Sequence, residues 1–165
     1  MISTRQLKRE DEGAFFSLIE KTEDSLSDKT WWLPIRLTAK QHFFDEQWCY
    51  ILGLFNDDKL IGASCLFLNE FEYKDSAREC EVPLNHTAEI GRCMVLPQYR
   101  GHNYLFEINK QLLSVAREKG LRRIILTIHP KNAASLASFK KLDAVFLKDI
   151  VKYEDYPRKV FLIEL

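Results

Sequence analysis

Apolar positions along this chain recur with two periods, and together they outline alternating strands and helices. Residues 3–9 read as a short strand running into Asp11-Glu12-Gly13. Phe15, Leu18, Ile19 and Thr22 then recur at helical spacing. Residues 23–30 are polar and predict a loop, and Pro34, just after Trp31-Trp32-Leu33, limits any helix across it. A second helix is predicted over 38–47. Cys49 to Phe55 and Leu60 to Leu68 flank Asn56-Asp57-Asp58-Lys59, the pattern of a hairpin. Residues 69–86 are polar, contain Pro83, and predict a loop or long strand ends. Thr87 to Leu96 is strand-like, and 97–102 is a loop.

The strongest helix covers Asn103 to Lys119, where Leu105, Ile108, Leu112, Val115 and Ala116 make one apolar stripe before Gly120. Arg123 to His129 contains Ile124-Ile125-Leu126, the look of a strand buried on both faces, and Pro130 stops it. Asn132 can cap a helix running through Leu142. Ala144 to Ile150 and Val160 to Leu165 are closing strands joined by a polar, tyrosine-containing connection. The predicted order is βααβββαβαββ, in one domain over residues 1–165.

Composition narrows the function classes. The 165 residues carry 24 Lys and Arg against 24 Asp and Glu, so the net charge is zero. A nucleic-acid binder or a polybasic membrane-surface protein would carry a basic surplus, so neither partner is expected. The zero is a sum of unlike parts. Met1 to Tyr99 holds 11 basic against 17 acidic residues, a net of −6, and Arg100 to Leu165 holds 13 against 7, a net of +6. Such asymmetry fits either chance division of surface charge or two ligands of opposite sign. The four cysteines form no C-x-x-C pair and no histidine pair has zinc-finger spacing, so no metal is expected. Free thiols, no signal-like start and no run of ~20 apolar residues predict a cytoplasmic protein.

The loop Pro97-Gln98-Tyr99-Arg100-Gly101-His102-Asn103 joins a strand to a helix start, where backbone N–H groups and the helix dipole favour an anion. No G-K-[ST] follows, and no G-x-G-x-x-G is present. The stretch from Met94 to Asn103 resembles the acyl-CoA signature of the GNAT N-acetyltransferase superfamily, with Gln98, Arg100 and Gly101 matching. Asn103 stands in place of a small residue, where it can cap the helix. Asn132 to Leu142 is similar to that family's N-x-x-[AS]-x-x-x-[YF]-x-x-[LG] helix. Ala88-Glu89-Ile90 with Cys93-Met94-Val95 is similar to the central strand of the histone acetyltransferase branch.

The resemblance implies an α/β (α+β) fold: a mixed, mostly antiparallel sheet of about seven strands, split near the CoA site and flanked by about four helices. It implies acetyl-CoA as acyl donor, with the backbone of Met94 and Val95 pairing with the pantetheine arm. It implies that the N–H groups of Arg100, Gly101, His102, Asn103 and Tyr104 hold the pyrophosphate and that Asn132 contacts the pantetheine. Dimers are common in such folds.

Acetyl transfer to an amine needs a base for the ammonium, a donor for the oxyanion and a proton for the leaving thiolate. Glu89 is the candidate base, acting directly or through water; otherwise it is a carboxylate paired at a strand start. Strand alternation puts Glu89, Gly91, Cys93 and Val95 on one face unless a bulge intervenes. Where many members carry a tyrosine acid this chain has Phe139, so Tyr153, Tyr156, Tyr104 or a water must supply the proton. Cys93 is a candidate nucleophile or a small buried hydrophobe. His102 is expected near phosphate, and His129 at a strand end. Trp31, Trp32 and Trp48 line an acceptor pocket or belong to the core. The expected function is acetyl transfer to a primary amine, on a small molecule or peptide, with a cationic acceptor favoured by the acidic N-terminal part. The alternatives are a CoA-binding module without turnover and a transferase of longer acyl groups.

Overall fold

Seven strands form one sheet in the order β1-β2-β3-β4-β5-β7-β6. The computed structural model describes residues 1–35 and 37–165. The strands are β1 (Ile2–Gln6), β2 (Cys49–Asn56), β3 (Lys59–Phe67), β4 (Thr87–Val95), β5 (Arg123–Ile128), β6 (Val145–Lys152) and β7 (Tyr156–Glu164). The helices are α1 (Glu12–Asp24), α2 (Leu37–Lys40), α3 (Lys74–Glu79), α4 (Tyr104–Glu118) and α5 (Ala133–Lys140). Among the described residues only β4 and β5 run parallel, because α4 carries the chain back between them; every other pair is antiparallel. The expected mixed, mostly antiparallel sheet is thus the sheet observed.

Each sheet face is covered by a helix with a clear apolar stripe. Phe15, Leu18, Ile19 and Thr22 of α1 are all buried. Phe15 meets Phe43, which meets Phe67 on β3, so α1 lies on the Phe67 face. Ile108, Asn109, Leu112, Leu113 and Ala116 of α4 are buried on the opposite face, where Asn109 accepts from Ser64 of β3 at 2.6 Å. The chain then buries Ile124, Ile125 and Leu126 of β5 completely, as a strand sandwiched on both faces requires.

Four expectations are corrected. β1 ends at Gln6 rather than residue 9, because the Asp11 carboxylate accepts the Lys8 N–H at 2.8 Å and winds a 3-10 turn there. The helix expected over 38–47 is one turn, α2. It continues as separate three-residue turns, closed by bonds such as His42 N–H to Ala39 O and Asp45 N–H to His42 O. Within 69–86, expected as loop, α3 forms so that Tyr73 and Ala77 pack with Val82, Ile125 and Val160. Finally, β6 and β7 are joined by a tight turn rather than a long connection. Tyr153 and Glu154 both have positive φ (48° and 69°), the signature of a twisted hairpin turn.

Candidate active site

The site begins where the sheet opens. β4 and β5 share three rungs, Thr87 with Arg123, Ala88 with Ile124 and Glu89 with Ile125. Beyond Glu89 pairing stops, although β4 runs on to Val95 and β5 to Ile128. The edge of β4 facing β5 is therefore open from Ile90 onward, the split that the resemblance implied.

A bulge sits on the open strand. Cys65 pairs with Gly91 and Ala63 with Met94, so β4 carries one extra residue opposite Ser64. Arg92 takes it up with φ 49°. The extra residue changes the side-chain parity: Glu89, Gly91 and Met94 share one face, whereas Cys93 and Val95 turn to the other. The expectation of Glu89, Gly91, Cys93 and Val95 on one face is corrected accordingly. On the α4 side Cys93 contacts the Ser64 hydroxyl at 3.1 Å and the Asn109 carbonyl oxygen at 3.7 Å. Burial pushes its thiol up to about 12, so no thiolate nucleophile is available at neutral pH.

A cavity of about 430 Å³ occupies the split. Glu89, Arg92, His129, Asn132, Phe139, Tyr153 and Arg158 line it together with Trp31 and Trp32. Glu89 is only 9% exposed, and its Oε2 is buried with no hydrogen-bond partner. Burial raises the carboxyl to about 7; Glu72 pushes the same way, while Lys152 and Arg92 oppose it. Phe139 is buried against the cavity and offers no proton. Of the three tyrosines considered as replacements, only Tyr153 lines the cavity. Asn132 caps α5, its side chain accepting the Ser135 N–H at 3.2 Å. Trp31 and Trp32 are wall residues, whereas Trp48 donates to Glu72 at 3.0 Å outside the cavity.

His129 fastens the wall. Its Nδ1 accepts the Lys131 N–H at 3.1 Å, which leaves Nε2 facing the Thr30 hydroxyl at 3.3 Å. Trp31 stacks on the ring at 5.4 Å. Burial, with Arg158 adding to it, lowers the pKa of this imidazole, so it stays neutral.

The second half of the predicted site lies at the far end of β4 and does not line the cavity. From Glu89 to Val95 the strand advances about 20 Å. A 3-10 turn over Pro97–Tyr99 follows. Arg100 then folds back, its Nε donating to the Val95 carbonyl at 2.9 Å and its Nη2 to the Ser25 hydroxyl at 3.3 Å. Gly101 has φ +82° and Asn103 φ 63°, the left-handed region. Asn103 precedes α4 but, contrary to expectation, does not cap it through its side chain; its Oδ1 accepts from Lys141 Nζ at 3.4 Å. His102 donates from Nδ1 towards the Tyr99 and Arg100 carbonyls (3.2 and 3.0 Å) and stacks on Tyr104. The Arg100 N–H is taken by the Pro97 carbonyl at 3.2 Å, so it is not among the open donors. Among the described residues, the N–H groups of 101–106 have no acceptor within the chain. They form a row of donors at the positive end of a 15-residue helix.

Two lining residues escaped sequence reasoning. Arg92 carried a signal, a cation inside the apolar run Ile90 to Val95, that alternation alone could not orient. Arg158 carried none. Among the described residues no three His, Cys, Asp or Glu side chains gather as a metal site would require, and no helix is long and apolar enough to cross a membrane.

A sequence model described as the acetyltransferase (GNAT) family matches residues 8–144. A search of curated proteins finds no match. Among solved structures the chain is similar to an N-acetyltransferase from Staphylococcus aureus Mu50, with TM-score 0.74 and 15% identity over 99% of this chain and 98% of that one. It is also similar to the acetyltransferase YncA of Salmonella typhimurium, solved with acetyl-CoA, with TM-score 0.74 and 14% identity over 100% and 94%. PaiA N-acetyltransferase of Thermoplasma acidophilum, solved with coenzyme A, gives TM-score 0.66 and 16% identity over 100% and 99%.

Proposed function

Because the chain belongs to the GNAT acetyltransferase family, we propose that it transfers an acetyl group from acetyl-CoA to a primary amine by direct attack in a ternary complex. The observation that carries this reading is Glu89: a buried carboxyl with an unpartnered Oε2, held near 7, at the last shared rung of a split sheet. A base poised near working pH takes a proton from an ammonium and gives it up again to solvent. Two similar folds solved with acetyl-CoA and coenzyme A support the donor. The open N–H row at residues 101–106 suits its pyrophosphate, and the unpaired edge of β4 around Met94 and Val95 suits its pantetheine arm.

In this mechanism the acceptor ammonium loses one proton to Glu89, directly or through water. The freed lone pair attacks the thioester carbonyl carbon and a C–N bond forms. Backbone N–H groups on the open edge of β4 face the oxyanion. The C–S bond then breaks. The second nitrogen proton passes to the departing sulfur, with Tyr153 or a water as relay, and CoA leaves as the thiol. The proton on Glu89 returns to solvent. Cys93 takes no part, since its thiol stays protonated.

Thiol release measured over a panel of amines, wild type beside Glu89→Gln, tests the reading. Expected is a kcat/KM that rises with pH through about 7 and falls by roughly 10²–10⁴ in the variant, with its pH dependence flattened. Unchanged turnover in Glu89→Gln removes Glu89 from the base role.

One observation favours a second reading. Phe139 stands on the cavity wall where a phenol would serve as acid, which suits a CoA-binding module without turnover. Calorimetry with acetyl-CoA separates the two: tight binding with no thiol release from any amine selects the module.

A further inference from the structure

Two arginines line the cavity without an ion pair among the described residues. Arg158 is 3% exposed, and its guanidinium donates to two neutral acceptors, the Pro157 carbonyl at 2.7 Å and the Thr30 carbonyl at 2.8 Å. Arg92, on the bulge of β4, lies over the Trp32 ring at 5.2 Å. Among the described residues neither makes an ion pair. Both line the same cavity. They are close enough that Arg92 adds to the burial that lowers Arg158 to about 10.

Among the described residues no carboxylate meets either guanidinium directly. Glu79 pairs with Lys148 and Asp149 with Lys159, while Glu72, which accepts from Trp48, and Asp75 are further carboxylates on the wall. Glu89 is buried and holds its proton to near-neutral pH. A guanidinium as buried as that of Arg158 is costly unless an anion meets it, and half-buried Arg92 reaches the same wall. The planar fork of arginine matches a carboxylate with two parallel hydrogen bonds.

We propose that the acceptor is an amino acid or a similar amino-carboxylic acid, whose carboxylate is held by Arg92 and Arg158 while its amine faces Glu89. The proposal rests on the acetyltransferase reading and names the substrate class of that site. It replaces the cationic acceptor favoured by the acidic N-terminal part, since two arginines without an ion pair call for an anionic group beside the amine. It also gives the bulge a purpose: the extra residue in β4 presents Arg92 to the cavity on the same short stretch of strand as Glu89.

The test compares matched acceptors, each amino acid beside its carboxamide and its decarboxylated amine, with acetyl-CoA as donor. The expected result is a kcat/KM at least about tenfold higher for the acids, since a site built to pair a polar group rejects analogues lacking it. Arg92→Gln raises KM for the acids by roughly tenfold, leaves kcat nearly unchanged and erases the preference over the carboxamide; Arg92→Lys recovers part of it. Arg158→Lys keeps the charge and the Thr30 contact within reach, and its melting curve checks the fold. Equal kcat/KM for acid and carboxamide overturns the proposal and leaves acetyl transfer standing. So does a fall in kcat with unchanged KM across all acceptors in Arg92→Gln, which would make Arg92 a transition-state group. If no amine releases thiol, the transfer reading fails. Calorimetry on the CoA-saturated protein then decides: amino acid binding absent for the carboxamide and lost in Arg92→Gln upholds the carboxylate site, and no binding overturns it.

Discussion

A carboxyl group enclosed without a partner keeps its proton to a higher pH than the same group in an unfolded chain, and at Glu89 this couples catalysis to stability. The ordinary value is 4.5, and the folded value is about 7. Between those limits the folded state binds more protons than the unfolded one, so stability falls as pH rises. Glu89→Gln removes that slope. Urea unfolding at pH 5 and pH 8 should therefore show wild type losing roughly 2–3 kcal/mol more than the variant across the interval. The same substitution expected to slow turnover should make the protein less sensitive to alkali. Glu89 itself was legible, because a lone carboxylate within an apolar strand stands out. The side on which its neighbours point was not. One inserted residue at Arg92 reverses the parity of Cys93 and Val95, and no pattern of apolar and polar letters marks where a strand inserts one.

At the scale of elements, the loop before α4 depends on two left-handed residues. Nothing lies within 4 Å of where a Cβ would sit at Gly101, so Gly101→Ala costs only backbone strain at φ +82°. That strain is about 1 kcal/mol. Calorimetry should show acetyl-CoA binding several-fold more weakly to that variant. Asn103 explains a departure from the family pattern: at φ 63° asparagine is the side chain that tolerates what a glycine would otherwise supply. Asn103→Gly should keep acetyl-CoA affinity, whereas Asn103→Val should lose it. Gly62 matters for a different reason. A Cβ there would lie 2.7 Å from the Met94 carbonyl oxygen, forcing β3 from β4 beside the split. Gly62→Ala should lower stability by roughly 1–3 kcal/mol, seen as an earlier urea midpoint. Long elements were legible because a repeated stripe accumulates signal, as in α1 and α4. Short ones were not. α3 has six residues, of which only Ser76 and Ala77 are buried, too little to distinguish it from a loop. The start of β7 was hidden because Tyr156 to Lys159 pair with a mostly exposed edge strand and carry no apolar alternation.

Across the whole molecule, the two halves of the sheet, β1 to β4 and β5 to β7, are stitched together by three rungs. A cosubstrate arm laid along the open edge of β4 would extend that seam and act as a missing strand. Hydrogen exchange should then slow at residues 90–95 and 126–128 when acetyl-CoA is added. At a concentration one hundred times its Kd, the ligand should raise the unfolding free energy by about 2.7 kcal/mol. If a metabolite finishes the sheet in this way, the lifetime of the fold would be set partly by supply. With the acetyl donor scarce, more of the population would open at the seam and become a target for proteolysis. The amount of this protein in a cell would then follow the carbon economy it draws on, through the gap between two strands.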